Sequence, residues 1–148
     1  MKRHLQLRRC FSTQRFDARS WAIRVQIEST EVAQLCCELM LLLFEKAEKL
    51  SLLFEQNHKL TLAVTSEQSR TTGGNQNTIP VNLSRRDLEL LLGFLLTWYR
   101  DGVAEVSHID IELISDNASG KDCTLVVEAN SSRPPLPAEE VERMLKNM

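Results

Sequence analysis

Three side chains that could bind a metal or move protons alternate along one predicted strand, at His108, Asp110 and Glu112. Successive side chains of a strand point to opposite faces, so these three share one face. An imidazole with two carboxylates suits a divalent metal or acid–base chemistry. The residues between them are apolar, however, and this alternation is also typical of a strand with one solvated face. The sequence predicts no catalytic residue, no bound metal and no cofactor, and these three remain its metal candidates.

The N-terminal segment is basic. Residues 1–24 hold seven Lys or Arg and one acid, which leaves 11 of the 18 basic and 19 of the 20 acidic residues for the remainder. A basic arm can contact nucleic-acid phosphates, but the acidic remainder would repel that partner and could itself hold the arm. The candidate nucleic-acid-binding residues are Arg3, Arg8, Arg9, Arg15 and Arg19.

Residues 1–11 allow two interpretations. They are basic and free of acids, which is typical of a mitochondrial presequence. Leu5 and Leu7 also alternate with polar residues, as in a first strand. We expect a cytoplasmic protein, or a mitochondrial matrix protein if residues 1–11 are a presequence. The sequence predicts no membrane span, because charged residues interrupt its apolar helical stretches too soon.

Two further patterns indicate packing or loop structure and no chemistry. Gly73-Gly74 precedes a predicted strand, whereas phosphate-binding glycine loops run into a helix. Residues 66–78 are therefore expected to form a flexible connection. The four cysteines do not have a metal-binding spacing, and they fit small buried residues in a reducing compartment.

The longest helical pattern runs from Ser29 to about Gln56. Its apolar residues recur every three or four positions, and neither Gly nor Pro interrupts it. At 1.5 Å per residue this helix would be roughly 40 Å long. A second helix begins with Ser84 and Asp87 and ends near Asp101, where Gly102 suits a left-handed position.

Five strands are predicted from alternation, and the fold class follows from them. Their ranges are 21–27, 60–64, 79–83, 106–115 and 124–129. Pro80 places the third at a sheet edge. The expected fold is an α+β two-layer sandwich, with a mainly antiparallel sheet of about five strands and two long helices on one face. A short C-terminal helix completes it.

The predicted organisation has three parts: a basic arm or first strand (1–19), an α+β domain (20–130), and a linker with an amphipathic helix (131–148). Strand, helix and strand occur twice in this order within the domain. The segments VQIESTEVAQLCCELML and VNLSRRDLELLLGFLLT align loosely by pattern, starting at Val25 and Val81. This pattern suggests a pseudo-repeat.

Both helices have more apolar residues than one sheet can cover, and an uncovered patch marks an association site. The predicted oligomer interface consists of Met40, Leu41, Phe44, Leu90, Phe94 and Tyr99. We therefore expect a non-catalytic interaction, assembly or regulatory protein that acts as a homodimer or with a protein partner. The alternatives are a nucleic-acid-binding protein that uses the basic arm and a small metal-dependent enzyme that uses the His108 strand.

Overall fold

A computed structural model describes residues 2–8, 11–15, 20–72, 77–104, 106–115, 122–130 and 138–147. Within these ranges the chain forms nine strands and three α-helices. The strands are β1 (Lys2–Gln6), β2 (Ser12–Arg15), β3 (Ser20–Glu28), β4 (Lys49–Leu53), β5 (Lys59–Thr65), β6 (Arg70–Thr71), β7 (Thr78–Ser84), β8 (His108–Ser115) and β9 (Asp122–Asn130). The helices are α1 (Val32–Leu43), α2 (Arg85–Asp101) and α3 (Ala138–Lys146).

All nine described strands belong to one sheet, in the order β1-β4-β5-β7-β6-β8-β9-β3-β2. Four neighbouring pairs are parallel and four are antiparallel. The predicted mixture of helices and strands is confirmed, but a mainly antiparallel sheet of about five strands is wrong. The strands that the sequence did not indicate are β2, β4 and β6, which have four, five and two residues. Alternation over so few residues is a weak signal.

The sheet curls back on itself. β1 and β2 lie at opposite ends of the strand order, yet only residues 7–11 separate them along the chain. Nine flat strands spaced about 4.8 Å apart would hold the two outer strands roughly 38 Å from each other. The connection between Gln6 and Ser12 reaches at most about 21 Å. The sheet must therefore wrap round, and its inner side chains join those of α1 and α2 in one apolar cluster.

The predicted long helix is wrong in its second half. α1 ends at Leu43 and is about 18 Å long by its 12 residues. Glu45 then adopts a left-handed φ of 60°. The backbone amides of Lys46 and Ala47 both donate to the carbonyl of Leu41, which turns the chain away from the helix axis.

β4 takes the place of the missing helical turns. Leu50 and Leu53 fit a helical stripe, whereas Leu50 and Leu52 fit the alternation of a strand. β4 pairs with β1 on one side and β5 on the other, and both Leu50 and Leu52 are buried. Tertiary pairing decides between two local patterns of similar quality.

The second helix agrees with the prediction at both ends. The Ser84 hydroxyl accepts a hydrogen bond from the Asp87 amide at 3.1 Å, and Gly102 takes the left-handed position with φ 72°. The preceding connection differs from the prediction, because it contributes β6 and buries Ser69 and Thr71. The predicted Gly73-Gly74 turn lies outside the described residues.

The edge position predicted from Pro80 is wrong, because β7 lies between β5 and β6. β6 pairs only with Val81 and Asn82, so Pro80 adjoins the point where β6 ends. The Thr71 hydroxyl donates to the Pro80 carbonyl at 2.7 Å. A proline is tolerated here because the two-residue β6 needs hydrogen bonds from few amides of β7.

Two halves of the chain have the same connectivity and the same pairing. One half is β3-α1-β4-β5 and the other is β7-α2-β8-β9. The first strand of each half pairs in parallel with the last strand of the other half. Each half also has a parallel neighbour beside its second strand, β1 beside β4 and β6 beside β8. The described sheet is thus organised about an approximate two-fold axis; a repeat by descent stays a prediction.

We expect Glu45→Gly to raise the free energy of unfolding by about 1 kcal/mol, because a side chain at a left-handed position costs roughly that amount. Gly102→Ala at the end of α2 is the matched control, and it should lower the free energy of unfolding by a similar amount. Urea unfolding of both variants measures the effect. A destabilised Glu45→Gly variant would contradict the backbone conformation after α1.

Candidate functional site

The first candidate site is on the helices. We define the helix surface as the predicted interface residues Met40, Leu41, Phe44, Leu90, Phe94 and Tyr99. Phe44 is 61% exposed, Leu90 52% and Tyr99 62%. Met40, Leu41 and Phe94 are half-buried. Exposed apolar side chains of this size on neighbouring elements are typical of association sites.

The sequence leaves these side chains outside because each helix already has a complete buried stripe. In α2 the stripe consists of Leu88, Leu91, Leu92, Leu95 and Trp98. Leu90 lies about 200° round the helix from Leu88, so it points away from the core. Phe44 follows the last residue of α1 and Tyr99 lies in the last turns of α2, where the core ends. α1 and α2 pack on each other, so the exposed side chains of both helices lie in one helical layer.

The basic N-terminal segment is partly integrated into the fold. Lys2–Gln6 is a strand, and both Leu5 and Leu7 are buried. Arg3 donates two hydrogen bonds to Glu38 of α1, from Nε at 2.9 Å and from Nη2 at 2.7 Å. The Arg3 guanidinium holds the pKa of the buried Glu38 carboxyl below its ordinary value. Of the nucleic-acid candidates, Arg3 therefore has an intramolecular partner.

Of the other candidate arginines, Arg8 makes a backbone contact, and the side chains of the rest are not described. The backbone amide of Arg8 donates to a carboxylate oxygen of Glu31 at 2.8 Å, and the residue is exposed. Arg9, Arg19 and the side chain of Arg15 lie outside the described part of the chain. Glu31 also accepts from the Glu28 amide at 2.9 Å, which holds the start of α1 near residue 8. Contact with nucleic acid stays a prediction for this segment.

The three metal candidates lie on the outer face of β8. His108, Asp110 and Glu112 are all exposed, and His108 Nε2 lies 3.6 Å from Asp110 Oδ1. His108 Nδ1 lies 3.0 Å from the Ser107 hydroxyl. Among the described residues no group of three or more His, Cys, Asp or Glu side chains is arranged to hold a metal ion. The three side chains share one face, as predicted, but they are spread along the strand and are not gathered round one point.

The described cysteines on inner faces are buried thiols. Burial raises the pKa of Cys36 to about 11 and that of Cys123 to about 12. Both thiols are therefore protonated at neutral pH, and a protonated thiol is a poor nucleophile. This arrangement fits the packing role that the sequence predicts for them.

A polar network at the start of α2 was not indicated by the sequence. The Ser69 hydroxyl donates to Asp87 Oδ2 at 2.5 Å and accepts from the Ser84 amide at 2.8 Å. It therefore ties the chain before β6 to the first turn of α2. The sequence signalled Ser84 and Asp87 as a cap but not their third partner, which lies 15 residues upstream of Ser84.

Comparisons of the chain with protein-family models, with curated proteins and with solved structures gave no significant match. No described helix has the length and apolar content that crossing a bilayer requires.

We expect Arg3→Met to destabilise the protein at pH 7 because it leaves the Glu38 carboxylate buried without its partner. Glu38 has a lowered pKa in the folded state, so its contribution is present above the unfolded pKa of about 4.3 and is lost as the pH falls through the folded pKa. The difference between wild type and Arg3→Met should therefore shrink on acidification.

Urea unfolding at pH 7 and at successively lower pH measures this difference. The matched control is Lys2→Met, which removes an exposed charge from the same strand. Equal stabilities of Arg3→Met and Lys2→Met at pH 7 would show that the ion pair contributes nothing.

Proposed function

We propose that this chain is a non-catalytic interaction protein, of the assembly or regulatory kind, that forms a homodimer through the helix surface. The supporting observation is the exposure of Phe44, Leu90 and Tyr99 on two helices that pack on each other. Apolar side chains that a soluble chain leaves exposed favour a partner that covers them. A two-fold dimer would use the same patch on both copies.

The expected affinity is moderate. Covering the exposed parts of these three side chains on both copies gains roughly 5–10 kcal/mol. Association itself costs about 4–15 kcal/mol. The half-buried Met40, Leu41 and Phe94 must supply the remaining contacts. We therefore expect a dissociation constant in the micromolar range.

The two alternative functions rank second because no geometry favours them. Arg3 is held by Glu38, and the backbone amide of Arg8 donates to Glu31. The His108 strand presents a solvated row of side chains, and among the described residues these are not arranged to hold a metal ion. Nucleic-acid binding, metal-dependent catalysis and the cytoplasmic location stay predictions.

We expect Phe44→Glu to weaken self-association at least tenfold, because a charge would be buried in an apolar contact. Size-exclusion chromatography with light scattering at micromolar concentration measures the mass against the 16.9 kDa chain. Val106→Glu is the control, since Val106 is 57% exposed but lies outside the helix surface. A wild-type monomer at every soluble concentration would contradict the proposal.

A further inference from the structure

Over residues 108–113, one edge of β8 has no strand partner among the described residues. The Ser107 carbonyl accepts from the Ala129 amide on the β9 side, whereas the Ile114 amide donates to the Ser69 carbonyl on the β6 side. Backbone groups alternate along a strand, so Asp110 and Glu112 direct their N–H and C=O groups toward the β6 side. β6 meets β8 only at Ile114 and Ser115. We call the remaining stretch, residues 108–113, the free edge of β8.

The free edge borders a large cleft. The cleft has a volume of about 1020 Å³ and lies between β8, the start of α2 and the chain before β6. Its lining includes Leu90 of α2 and Ile111 of β8. Its charged lining is mostly acidic: Glu67, Asp87, Asp110, Glu112 and Asp122, against Arg86. An unpaired strand edge beside an open cleft is the geometry that accepts an added strand.

The corresponding place in the other half of the molecule is already filled by a strand. Leu50 of β4 lies opposite Leu62, which lies opposite Val81. In the second comparison, Ile109 of β8 lies opposite Val127 of β9, which lies opposite Val25 of β3. Because Val25 and Val81 start the two aligned segments, Leu50 corresponds to Ile109. β1 pairs with residues 49–53 of β4, and these correspond to residues 108–112 of the free edge.

The two helices differ at two corresponding positions. Aligned from Val25 and Val81, Glu38 of α1 corresponds to Phe94 of α2, and Gln34 corresponds to Leu90. The alignment holds in burial, since the corresponding Leu39 and Leu95 are both fully buried. In the first half Arg3 of β1 contacts Glu38, whereas the corresponding residue of the second half is the apolar Phe94, one helical turn from Leu90 in the cleft lining.

We propose that the cleft binds an extended peptide of a partner protein, added as a strand parallel to the free edge of β8. The peptide takes the place relative to β8 that β1 takes relative to β4. Its inward side chain at the position of Arg3 is apolar and packs on Phe94 and Leu90. Its outward side chains are basic, because the carboxylates of Asp110 and Glu112 lie beside them. The partner motif is a short run of alternating apolar and basic residues.

This inference shares Leu90 and Phe94 with the helix surface, but it does not depend on self-association. A monomeric wild-type chain that binds a peptide would remove the homodimer and leave the cleft. A dimer that binds no peptide would do the reverse. The two proposals therefore fail separately.

The chain itself supplies a probe, a fluorescent peptide of residues 2–8 that carries Arg3→Leu. It has basic ends and three alternating leucines. Fluorescence anisotropy with the full-length protein should show saturable binding, and the unaltered peptide of residues 2–8 should bind at least fivefold more weakly. In a Phe94→Glu variant this preference should reverse, because the position then matches Glu38. Absence of saturable binding to the wild-type protein would overturn the proposal.

Two variants of one residue test the backbone contact. Asp110→Pro removes an amide from the free edge and leaves the bonds to β9 in place, and proline is tolerated at strand edges. Asp110→Ala keeps that amide. We expect Asp110→Pro to weaken probe binding at least tenfold and Asp110→Ala less than threefold. Equal affinities of the two variants would overturn the added-strand geometry.

A measurement on the unmodified protein covers the case in which Asp110→Pro does not fold. Hydrogen exchange should be fast at the amides of Asp110 and Glu112 in the free protein. Both amides should become protected when the probe is bound, and the Ile109 and Ile111 amides, which face β9, should be protected in both states. Unchanged exchange at Asp110 and Glu112 in the saturated complex would exclude the proposed strand.

Discussion

The structure depends on one constraint, which is that a mixed sheet must curl far enough to enclose two helices. The short connection between β1 and β2 holds the two ends of the strand order together. The curl lets the inner faces of strands from both halves contact the same apolar cluster, with Leu39 and Leu95 at its centre. Once those stripes are covered, the remaining apolar side chains of α1 and α2 have no place inside. Their exposure is therefore a consequence of the fold.

The approximate two-fold arrangement explains why similar local sequences have different surroundings. α1 receives β1 at its flank, and the buried Glu38 is satisfied by Arg3. α2 has the half-buried Phe94 at the corresponding position. In one half the position is occupied by an ion pair between Arg3 and Glu38, 35 residues apart, and in the other half it is apolar. The same scaffold thus holds its own N-terminal strand beside α1 and leaves Leu90 and Tyr99 of α2 exposed.

Local signals predicted the elements whose ends are marked by single residues. Ser84 and Gly102 bound α2 as expected, because capping and left-handed backbone are local requirements. The second half of the long helical pattern failed, since Leu50 and Leu52 serve a helix or a strand equally well until β1 and β5 are in place. β6 could not be predicted from Arg70 and Thr71 alone.

The sequence predicted the apolar character of the candidate site but not the contacts that surround it. The surplus of apolar residues on the helices was visible in the sequence, although burial of β4 accounts for part of it. The Arg3–Glu38 pair and the free edge of β8 gave no sequence signal, because both arise from strand order. Glu38 stood out only as a lone charge in an apolar stretch.

The central claim is that the helix surface is covered by a partner copy in solution. Hydroxyl-radical footprinting read by mass spectrometry, over a range of protein concentrations, tests it residue by residue. The account predicts that oxidation of Phe44 and Tyr99 falls as the concentration rises, while oxidation of Val106 is unchanged. Equal oxidation of Phe44 and Tyr99 at every concentration would contradict it.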